Sequence, residues 1–421
     1  MSGSRHSGSE SGFAHSGPDP ESAKPDSGPD PLLRTCDVLV AGAGLPGLAA
    51  AAALARSGLS VVLADRSPVA VPPIDPETWD ARVYAISPGS AAFLSAIGAW
   101  QALPEDRMTA VEAMAIEGDR GADLGFDAYD LGERALAWIV EERELRAALV
   151  PQVHSTGVEV VAPAAFASLD WTPGGGTLTL EDGRRISARL VVGADGLRSW
   201  VRAAAGMASE PVPYAQTAVV ANFACERPHR GVARQWFRPD GGVLAWLPLP
   251  GNRISIVWSA PSAQADDLAR LSHEALASRV SEAGSHALGR LDVVTPPARF
   301  PLRFLRLPSV IAHRLALVGD AAHGVHPLAG QGVNLGFGDA QALAAVLGAR
   351  GPVADPGAPI LVERYARKRA VPVLAMQGVT DGLARLFAST LPGVPLLRNL
   401  GLSAVSKLPP VRHALARPAL R

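Results

Sequence analysis

The stretch Asp37-Val-Leu-Val-Ala-Gly-Ala-Gly-Leu-Pro-Gly47 decides how the first part of the chain folds. It begins as a short apolar strand, and an alanine-rich helical pattern follows its glycines as far as Ser57. A second apolar strand ends at Asp65. A strand, a G-x-G-x-x-G turn, a helix and a strand that ends in an acid together form a dinucleotide-binding βαβ unit.

Each residue of this unit has a separate expected role. Gly42 allows a tight turn, Gly44 lets a pyrophosphate approach the backbone, and Gly47 lets the helix pack on the strand. Asp65 lies 18 residues beyond Gly47, which suits a bond to an adenosine ribose. With the adjacent Arg66, these residues form the predicted cofactor-binding set.

The uncharged run Val38–Ala55 also raises the alternative of a membrane span. A spanning helix needs about 20 strongly apolar residues. This run is shorter, mostly alanine, and interrupted by three glycines and a proline. The nucleotide-binding unit explains those glycines, so the sequence favours that interpretation.

Length and composition limit the number of domains, the classes of partner and the cellular compartment. The 421 residues suffice for two or three domains, and the net charge of −1 predicts no nucleic acid partner. Cys36 and Cys225 are too few for a disulfide scaffold, which indicates a reducing, cytoplasmic compartment. Residues 1–34 are rich in Ser, Gly, Pro and Asp, which predicts a disordered tail.

Two later strand ends also carry an acid. One is Gly193-Ala-Asp195-Gly196-x-x-Ser199-x-x-Arg202, where Ser and Arg follow at helical spacing. The other is Leu317–Gly336, a buried strand that breaks at Gly319-Asp320 and re-enters a helix near Gly332. An acid just past a strand can bind a sugar hydroxyl, and a glycine-rich loop that opens a helix can face an anion.

His323 and His326 in the last stretch invite a metal interpretation. Two histidines at i, i+3 without a third ligand nearby make a poor metal site. We therefore predict no metal.

The remaining sequence predicts a second region and a helical end. Residues 212–258 alternate as an antiparallel sheet, which we expect to line a dry pocket with Trp236, Phe237, Trp246 and Trp258. Residues 266–284 and 361–387 have helical patterns. Residues 391–411 carry many leucines and valines, and two interpretations stay open: a helix pair packed on the core, or a surface for a membrane or partner.

The three acid-bearing signatures, in this order, resemble the single-component flavin aromatic hydroxylases typified by p-hydroxybenzoate hydroxylase. The third extends as His323-x-x-His326-Pro327-x-x-Gly330-Gln331-Gly332-x-Asn334-Leu335-Gly336-x-x-Asp339. Asp80-x-Arg82-x-x-Ala85-Ile-Ser87, Ala245-Trp-Leu-Pro248 and Glu363-x-Tyr365-x-x-x-Arg369 resemble the ubiquinone-biosynthesis hydroxylases, which act on polyprenylated phenols. The resemblance covers residues 36–411.

The resemblance implies an α/β fold with three parts. They are a Rossmann-like FAD/NAD(P)-binding domain, an inserted antiparallel-sheet α+β substrate domain, and C-terminal helices. The expected ranges are 35–110, 130–205 and 300–350 for the FAD-binding domain, 111–129 and 206–299 for the substrate domain, and 351–421 for the helical region.

It also implies roles for residues outside the glycine turn. Arg82 would lie near the FAD diphosphate and flavin, and Asp195 would brace a junction between FAD and the pyridine nucleotide. Asp320 would bond the ribityl chain. Pro327 would lie beside the flavin ring.

The start of the last helix would complete the cofactor site. Gly330, Gln331 and Gly332 would be close to the flavin, and the backbone N–H groups there, with Val333 and Asn334, would face its N1/C2 edge. Reduced flavin is anionic, and a helix N-terminus carries about half a positive charge. No side chain is expected to act as a covalent catalyst.

By this resemblance, NADPH or NADH reduces FAD, O2 adds at flavin C4a as a hydroperoxide, and a lipophilic phenol is hydroxylated. The sequence contains no second dinucleotide-binding glycine turn, which fits transient docking of the coenzyme. The expected location is cytoplasmic or peripheral at the inner membrane, with membrane or biosynthetic-complex contact through residues 391–411.

Three alternative functions arise for a protein with these signatures. A flavin-dependent halogenase of this fold needs a catalytic lysine, and no lysine lies between residues 25 and 367. A prenyl-lipid reductase and a flavin-bound accessory subunit of a biosynthetic complex remain open.

Overall fold

The computed structural model describes residues 32–71, 73–207, 209–328, 330–389 and 391–420. Residues 1–31 of the predicted tail lie outside these ranges. The last part of that tail prediction is wrong, because Leu33 and Arg34 open the first strand. They pair with Arg185 and Ile186, and this pairing adds two backbone rungs to the sheet.

Strands and helices are numbered separately in chain order. The strands are β1 (Leu33–Ala41), β2 (Val61–Ala64), β3 (Val83–Ile86), β4 (Met108–Val111), β5 (Ala113–Glu117), β6 (Asp123–Asp127), β7 (Ala137–Glu141), β8 (Glu159–Val161), β9 (Phe166–Thr172), β10 (Gly175–Leu180), β11 (Arg185–Gly193), β12 (Val212–Cys225), β13 (Val232–Phe237), β14 (Val243–Leu249), β15 (Arg253–Pro261), β16 (Leu291–Val293), β17 (Ala298–Arg306), β18 (Ile311–Ala312), β19 (Leu315–Leu317) and β20 (His323–Gly324). The helices are α1 (Leu45–Arg56), α2 (Pro88–Ala96), α3 (Glu142–Ser155), α4 (Trp200–Ala204), α5 (Ser262–Arg270), α6 (His273–Ala283), α7 (Gly332–Gly348), α8 (Pro359–Ala388), α9 (Val394–Ser406) and α10 (Pro409–Leu420).

The first sheet has the strand order β18-β19-β11-β1-β2-β8, and β19, β11, β1, β2 and β8 run parallel. Val38 and Val40 of β1 pack among the residues of α1, α3 and α7. Leu39 and Ala41 face the other side, where the β9–β10 hairpin covers the sheet. A sheet buried on both faces explains why the run from Val38 is continuously apolar rather than alternating.

The second sheet has the order β20-β17-β12-β15-β14-β13-β5-β6, with β16 paired to β12. It contains β17, so residues 300–306, which we predicted in the FAD-binding domain, lie in this sheet instead. The reason is the long antiparallel pairing of β17 with β12. The helix predicted over 266–284 is two helices, α5 and α6, separated at Leu271 and Ser272, because Ser272 caps the N-terminus of α6.

The tryptophans of this sheet do not line a pocket, contrary to expectation. Trp236, Trp246 and Trp258 are buried between the sheet and helices α5 and α6. Strand side chains alternate between faces, so Phe237, next to Trp236, lies on the opposite face. There it stacks on Phe387 of α8 with ring centroids 3.6 Å apart.

A third, three-stranded sheet, β3-β7-β4, and the C-terminal helices complete the described structure. Helix α9 is fixed to the β5–β6 turn by an ion pair between Arg398 and Asp119, and Asn399 donates to Asp119. Arg398 also donates to the carbonyls of Leu386 and Phe387, which closes the end of α8. Among the described residues, no helix combines the length and apolar character that a bilayer span requires.

Candidate functional site

The three signatures meet at one edge of the first sheet. In the strand register, Ala41 of β1 pairs with Gly193 of β11, and Gly193 pairs with Leu317 of β19. These strands run parallel, so the segments that follow them leave the sheet side by side. Ligands of open α/β sheets bind at this carboxyl edge.

The glycine turn after β1 combines two crowded positions with one open position. Gly42 has φ +113°, and a Cβ there would lie 2.4 Å from the Ala194 carbonyl. A Cβ on Gly47 would lie 2.0 Å from the Gly42 oxygen. A Cβ on Gly44 would meet nothing within 4 Å. Gly42 and Gly47 therefore serve close packing, whereas Gly44 faces the open side where a phosphate could approach.

Asp65 lies directly against this turn. Its carboxylate accepts hydrogen bonds from the backbone N–H of Ala43 at 2.5 Å and of Ser67 at 2.7 Å. Arg146 of α3 donates to the Ala43 carbonyl at 2.9 Å, a contact that the sequence did not indicate. Arg66 is exposed and lies over the Phe166 ring, 5.5 Å from its centroid.

Asp195 acts as a brace in this structure. Its carboxylate accepts hydrogen bonds from the Ser199 hydroxyl at 2.5 Å and from the backbone N–H of Trp200 and Val201 at 2.6 and 3.0 Å. The start of α4 thus uses both carboxylate oxygens. A direct contact of Asp195 with a cofactor remains a prediction.

The second and third signatures are joined by Arg202. This buried side chain donates to the carbonyls of Ala321 and Leu197, each at 2.9 Å. The first and third signatures are joined by close packing of Gly336 against Pro46 and Gly319. A Cβ on Gly336 would lie only 2.6 Å from the Pro46 ring and 3.2 Å from the Gly319 Cα. These contacts hold the starts of α1 and α7 together.

Asp320 and Arg82 lie in a shared cleft. The Asp320 carboxylate is exposed to solvent, yet protein surrounds it closely enough that desolvation raises its pKa despite the charges of His323 and Arg82. No described residue gives it a hydrogen bond or ion pair. Arg82 forms an ion pair with Glu142 at 2.8 Å and donates to the Tyr84 hydroxyl at 3.3 Å. Burial raises the pKa of the Tyr84 hydroxyl well above its usual value.

Behind this cleft, His323 is buried in an ion network. Its Nε2 donates to Asp339 at 2.6 Å, and Asp339 also accepts from the Gly319 N–H at 2.9 Å and from Arg369 at 2.6 Å. Burial lowers the pKa of His323, but the charge and hydrogen bond of Asp339, together with the Asp320 charge, outweigh it and raise the pKa overall. The same pairing, with Arg369, outweighs burial and lowers the pKa of Asp339.

His326 has the opposite surroundings. Its Nε2 lies 2.9 Å from the Gln216 side-chain oxygen, and its ring meets the Tyr214 ring edge-on at 5.0 Å. Burial lowers the pKa of His326 to about 4, so the ring is neutral at physiological pH. The two histidines therefore point to different partners. Within the described ranges, no cluster of three or more His, Cys, Asp or Glu side chains could hold a metal ion.

The loop between His326 and α7 is fixed to β3. Asn334 accepts from the Ser87 N–H at 3.0 Å and donates to the Ala85 carbonyl at 2.8 Å. Gly330, at φ +62°, donates to the Pro327 carbonyl at 3.0 Å. Helix α7 begins with Gly332 and the buried Val333. Its N-cap residue, Gln331, makes no side-chain capping bond.

The structure brings the three predicted signatures together, but it also shows contacts that sequence spacing did not indicate. Glu142 comes to Arg82 through the pairing of β3 with β7, and Gln216 comes to His326 from the second sheet. Alternation along a strand indicates which of its residues share a face of the sheet. No local pattern indicates which distant strand pairs with that strand.

The chemistry of this edge fits FAD. Gly44 at the start of α1 and Gln331 at the start of α7 are N-caps without side-chain bonds, so backbone N–H groups are available to anionic groups. The open position at Gly44 gives room for a pyrophosphate. Asp65 and Asp320 place carboxylates where hydroxyls of a ribose and a ribityl chain could bind.

Comparison with known proteins agrees with this architecture. A family described as "FAD binding domain" matches residues 35–377. The chain is 37% identical to ubiquinone hydroxylase UbiL of Rhodospirillum rubrum, over 92% of this chain and 90% of that protein. It is 33% identical to 3-demethoxyubiquinol 3-hydroxylase of Escherichia coli, over 91% of this chain and 98% of that protein.

Among solved structures, PqsL of P. aeruginosa shares the fold. Its TM-score is 0.74 at 24% identity, covering 88% of this chain and 99% of that chain. The matching family spans both sheets of this structure, and the two curated relatives align with nearly the whole chain. The chain is therefore an enzyme of the FAD-dependent monooxygenase family that includes the ubiquinone-biosynthesis hydroxylases.

Proposed function

We propose that this enzyme hydroxylates the ring of a prenylated phenol in ubiquinone biosynthesis, using NADPH or NADH and O2. The observation that carries the proposal is the meeting of the three signatures at one sheet edge, where β20, between Asp320 and Pro327, pairs with β17 of the second sheet. The names of the two curated relatives support the substrate class. The lack of a second dinucleotide unit supports a transiently bound coenzyme.

FAD would extend along this edge from the glycine turn to α7. Gly42, Gly44 and Gly47 would form the pyrophosphate cradle, and Asp65 would bind the adenosine ribose next to Arg66. Asp65 keeps its carboxylate beside the turn through the Ala43 N–H, so it is already positioned for a ribose hydroxyl.

The other end of FAD would lie in the cleft of Asp320 and Arg82. Asp320 would accept hydrogen bonds from the ribityl hydroxyls, a role that suits a carboxylate to which none of the described residues donates. Arg82 would exchange part of its contact with Glu142 for the diphosphate. Asp195 would keep the junction rigid through its bonds to α4.

The flavin ring would lie against Pro327, with the start of α7 at its N1/C2 edge. The N–H groups near Gly330, Gln331 and Gly332 would be positioned there with the help of Asn334, which bonds the Ser87 N–H and the Ala85 carbonyl. When bound, FAD would supply the redox chemistry, in which two electrons from the coenzyme reduce O2 so that one oxygen atom enters the substrate ring and the other leaves as water. The helix start would stabilise negative charge on the flavin edge.

The protein must also keep water away from the reacting atoms. The second sheet offers an apolar row for this purpose on the face opposite the tryptophans. Val220, Val257 and Ala245 are register partners on β12, β15 and β14. Alternation places them on the face away from α5 and α6, so they would form a dry wall for the substrate ring.

The test is oxygen-18 incorporation. The FAD-loaded enzyme is incubated with NADPH, labelled O2 and a short-chain prenylphenol, and the product is analysed by mass spectrometry. One labelled oxygen atom in the product is expected. An unlabelled, reduced product would instead show a prenyl-lipid reductase. NADPH oxidation that the phenol does not stimulate would favour an accessory subunit.

The exposed apolar residues of the C-terminal helices suggest where the enzyme would meet its lipid. We define the leucine surface as the exposed residues of α9 and its flanks: Leu391, Leu396, Leu397, Leu400 and Leu408. Residues 391–420 contain no Asp or Glu, and Lys407 and Arg417 there are exposed. Apolar residues with only positive charge suit an anionic membrane surface. Of the two interpretations that the sequence leaves open for residues 391–411, this proposal follows the second, a surface for a membrane.

Co-sedimentation with vesicles tests this contact. Wild type should sediment with phosphatidylglycerol vesicles more than with phosphatidylcholine vesicles, and Leu397→Ser with Leu400→Ser should reduce sedimentation. Val353→Ser, at a 95% exposed apolar residue outside the leucine surface, is the matched control. Equal sedimentation of the double variant and wild type would contradict the proposal.

A further inference from the structure

The His326 side chain is in a defined tautomer. Gln216 donates its amide N–H to the Gly241 carbonyl at 3.1 Å, so its oxygen is the end that faces His326. An oxygen acceptor requires a donor, and the proton of the neutral ring is therefore on Nε2. Nδ1 then carries a lone pair and can only accept.

This acceptor has no partner among the described residues. His326 is 1% exposed, and its Nδ1 is buried without a hydrogen bond. Buried polar atoms are almost always paired, and leaving one unpaired is unfavourable. A hydrogen-bond donor from outside the chain would satisfy it.

The strand opposite His326 is distorted at this point. Ala215 has φ +56°, and the register of β12 against β17 shifts between Pro213 and Thr217. On either side of Ala215, Tyr214 and Gln216 both contact His326, and Asp381 of α8 holds the Tyr214 hydroxyl at 3.1 Å. Non-glycine residues with positive φ cluster at ligand sites, where the surrounding structure maintains the strain.

His326 also directly precedes Pro327, which the proposed function places beside the flavin ring. From these observations, we propose that Nδ1 of His326 accepts a hydrogen bond from the hydroxyl group of the phenolic substrate. The inference rests on the proposed function and assigns to it a residue that selects and orients the phenol. A buried acceptor rejects an analogue without the hydroxyl, because the analogue leaves the acceptor unpaired.

Two ligands and two variants test the assignment. The FAD-loaded protein is titrated with 2-geranylphenol and with its methyl ether, which cannot donate, and binding is followed by the change in flavin absorbance. His326→Gln keeps a donor near Nε2 but loses the Nδ1 acceptor. His326→Asn keeps an acceptor near Nδ1 but loses the contact with Gln216.

Wild type should bind the phenol about tenfold more tightly than the ether, as expected for one buried hydrogen bond. His326→Gln should bind both ligands equally, and His326→Asn should retain most of the preference. A His326→Gln variant that keeps the full preference would overturn the inference.

Two other outcomes would also overturn it. Equal weakening of both ligands in His326→Gln would assign the residue a structural role only. Loss of FAD from this variant with an unchanged phenol-to-ether ratio would mean that the cofactor is the donor. If neither ligand perturbs the flavin of wild type, the proposed substrate class itself fails.

Discussion

The chain from Gly319 to Asp339 carries two acids and two histidines, and its rear side and its front side each have one of each. On the rear side, His323 and Asp339 are buried and bonded to each other, to Arg369 and to the backbone. On the front side, Asp320 is in an open cleft without a hydrogen-bonding partner in the described structure, and His326 has one unpaired nitrogen. Side chains whose polar atoms all have protein partners have a structural role. Side chains with an unpaired polar atom mark a place where a ligand could bind.

The largest effect on stability should come from disrupting the buried network of His323, Asp339 and Arg369 on the rear side. Asp339→Asn removes the charge that His323 and Arg369 share, and breaking a buried ion pair costs about 3–5 kcal/mol. The free energy of unfolding, measured with urea, should fall by that amount. Asp182→Asn, at an exposed pair with Arg184, is the control and should leave the urea midpoint unchanged.

The comparison also predicts opposite responses to pH. The folded-state pKa of His326 is lowered to about 4, so the unfolded chain binds more protons between that value and the ordinary value near 6.5. The stability from neutral His326 is complete above pH 6.5 and is lost as pH falls, by about 3 kcal/mol at pH 4. His323 has a raised pKa, so its contribution is complete below pH 6.5 and is lost as pH rises through the folded pKa.

The measurement compares wild type with His326→Gln in urea at several pH values. Between pH 6.5 and 4, wild type should lose more stability than the variant. Parallel losses in the two proteins would show that His326 is not the group that responds.

A change on the front side should alter the stability of the fold only slightly but should clearly weaken FAD binding. Asp320→Ala removes an acid that accepts no hydrogen bond from the described part of the chain, so thermal unfolding of the FAD-free protein should change little. The dissociation constant for FAD should rise at least about tenfold, as for the loss of hydrogen bonds to a charged group. Glu105→Ala, at an exposed acid outside the cleft, is the control. Full FAD retention by Asp320→Ala would mean that this segment has been misinterpreted.

These two sides also show what the sequence could predict. The strand-end acids and glycines appear in short windows, so the βαβ unit, Gly42, Asp65 and Asp320 could be located by spacing alone. The two histidines are three residues apart, and their pKa values shift in opposite directions because His323 pairs with Asp339, whereas His326 is buried beside the neutral Gln216 of another sheet. No local pattern contains that information.

The tryptophans show the same limit in the second sheet. Their residue type predicted a pocket lining, but alternation alone separates Trp236 from Phe237 and does not say which face α5 and α6 cover. That choice depends on chain connections that bring two later helices onto one side.

The order of the signatures along the chain has a consequence for synthesis. The glycine turn leaves the ribosome first, but its neighbour β11 and the Gly319–Gly336 segment that packs on Pro46 come much later. About 290 residues separate Gly47 from Gly336. At about 5–20 residues per second, about 15–60 s pass between the synthesis of the βαβ unit and the synthesis of the segment that forms the other end of the cofactor cleft. FAD would therefore be captured at the end of translation, as the last component that locks β1, β11 and β19 together.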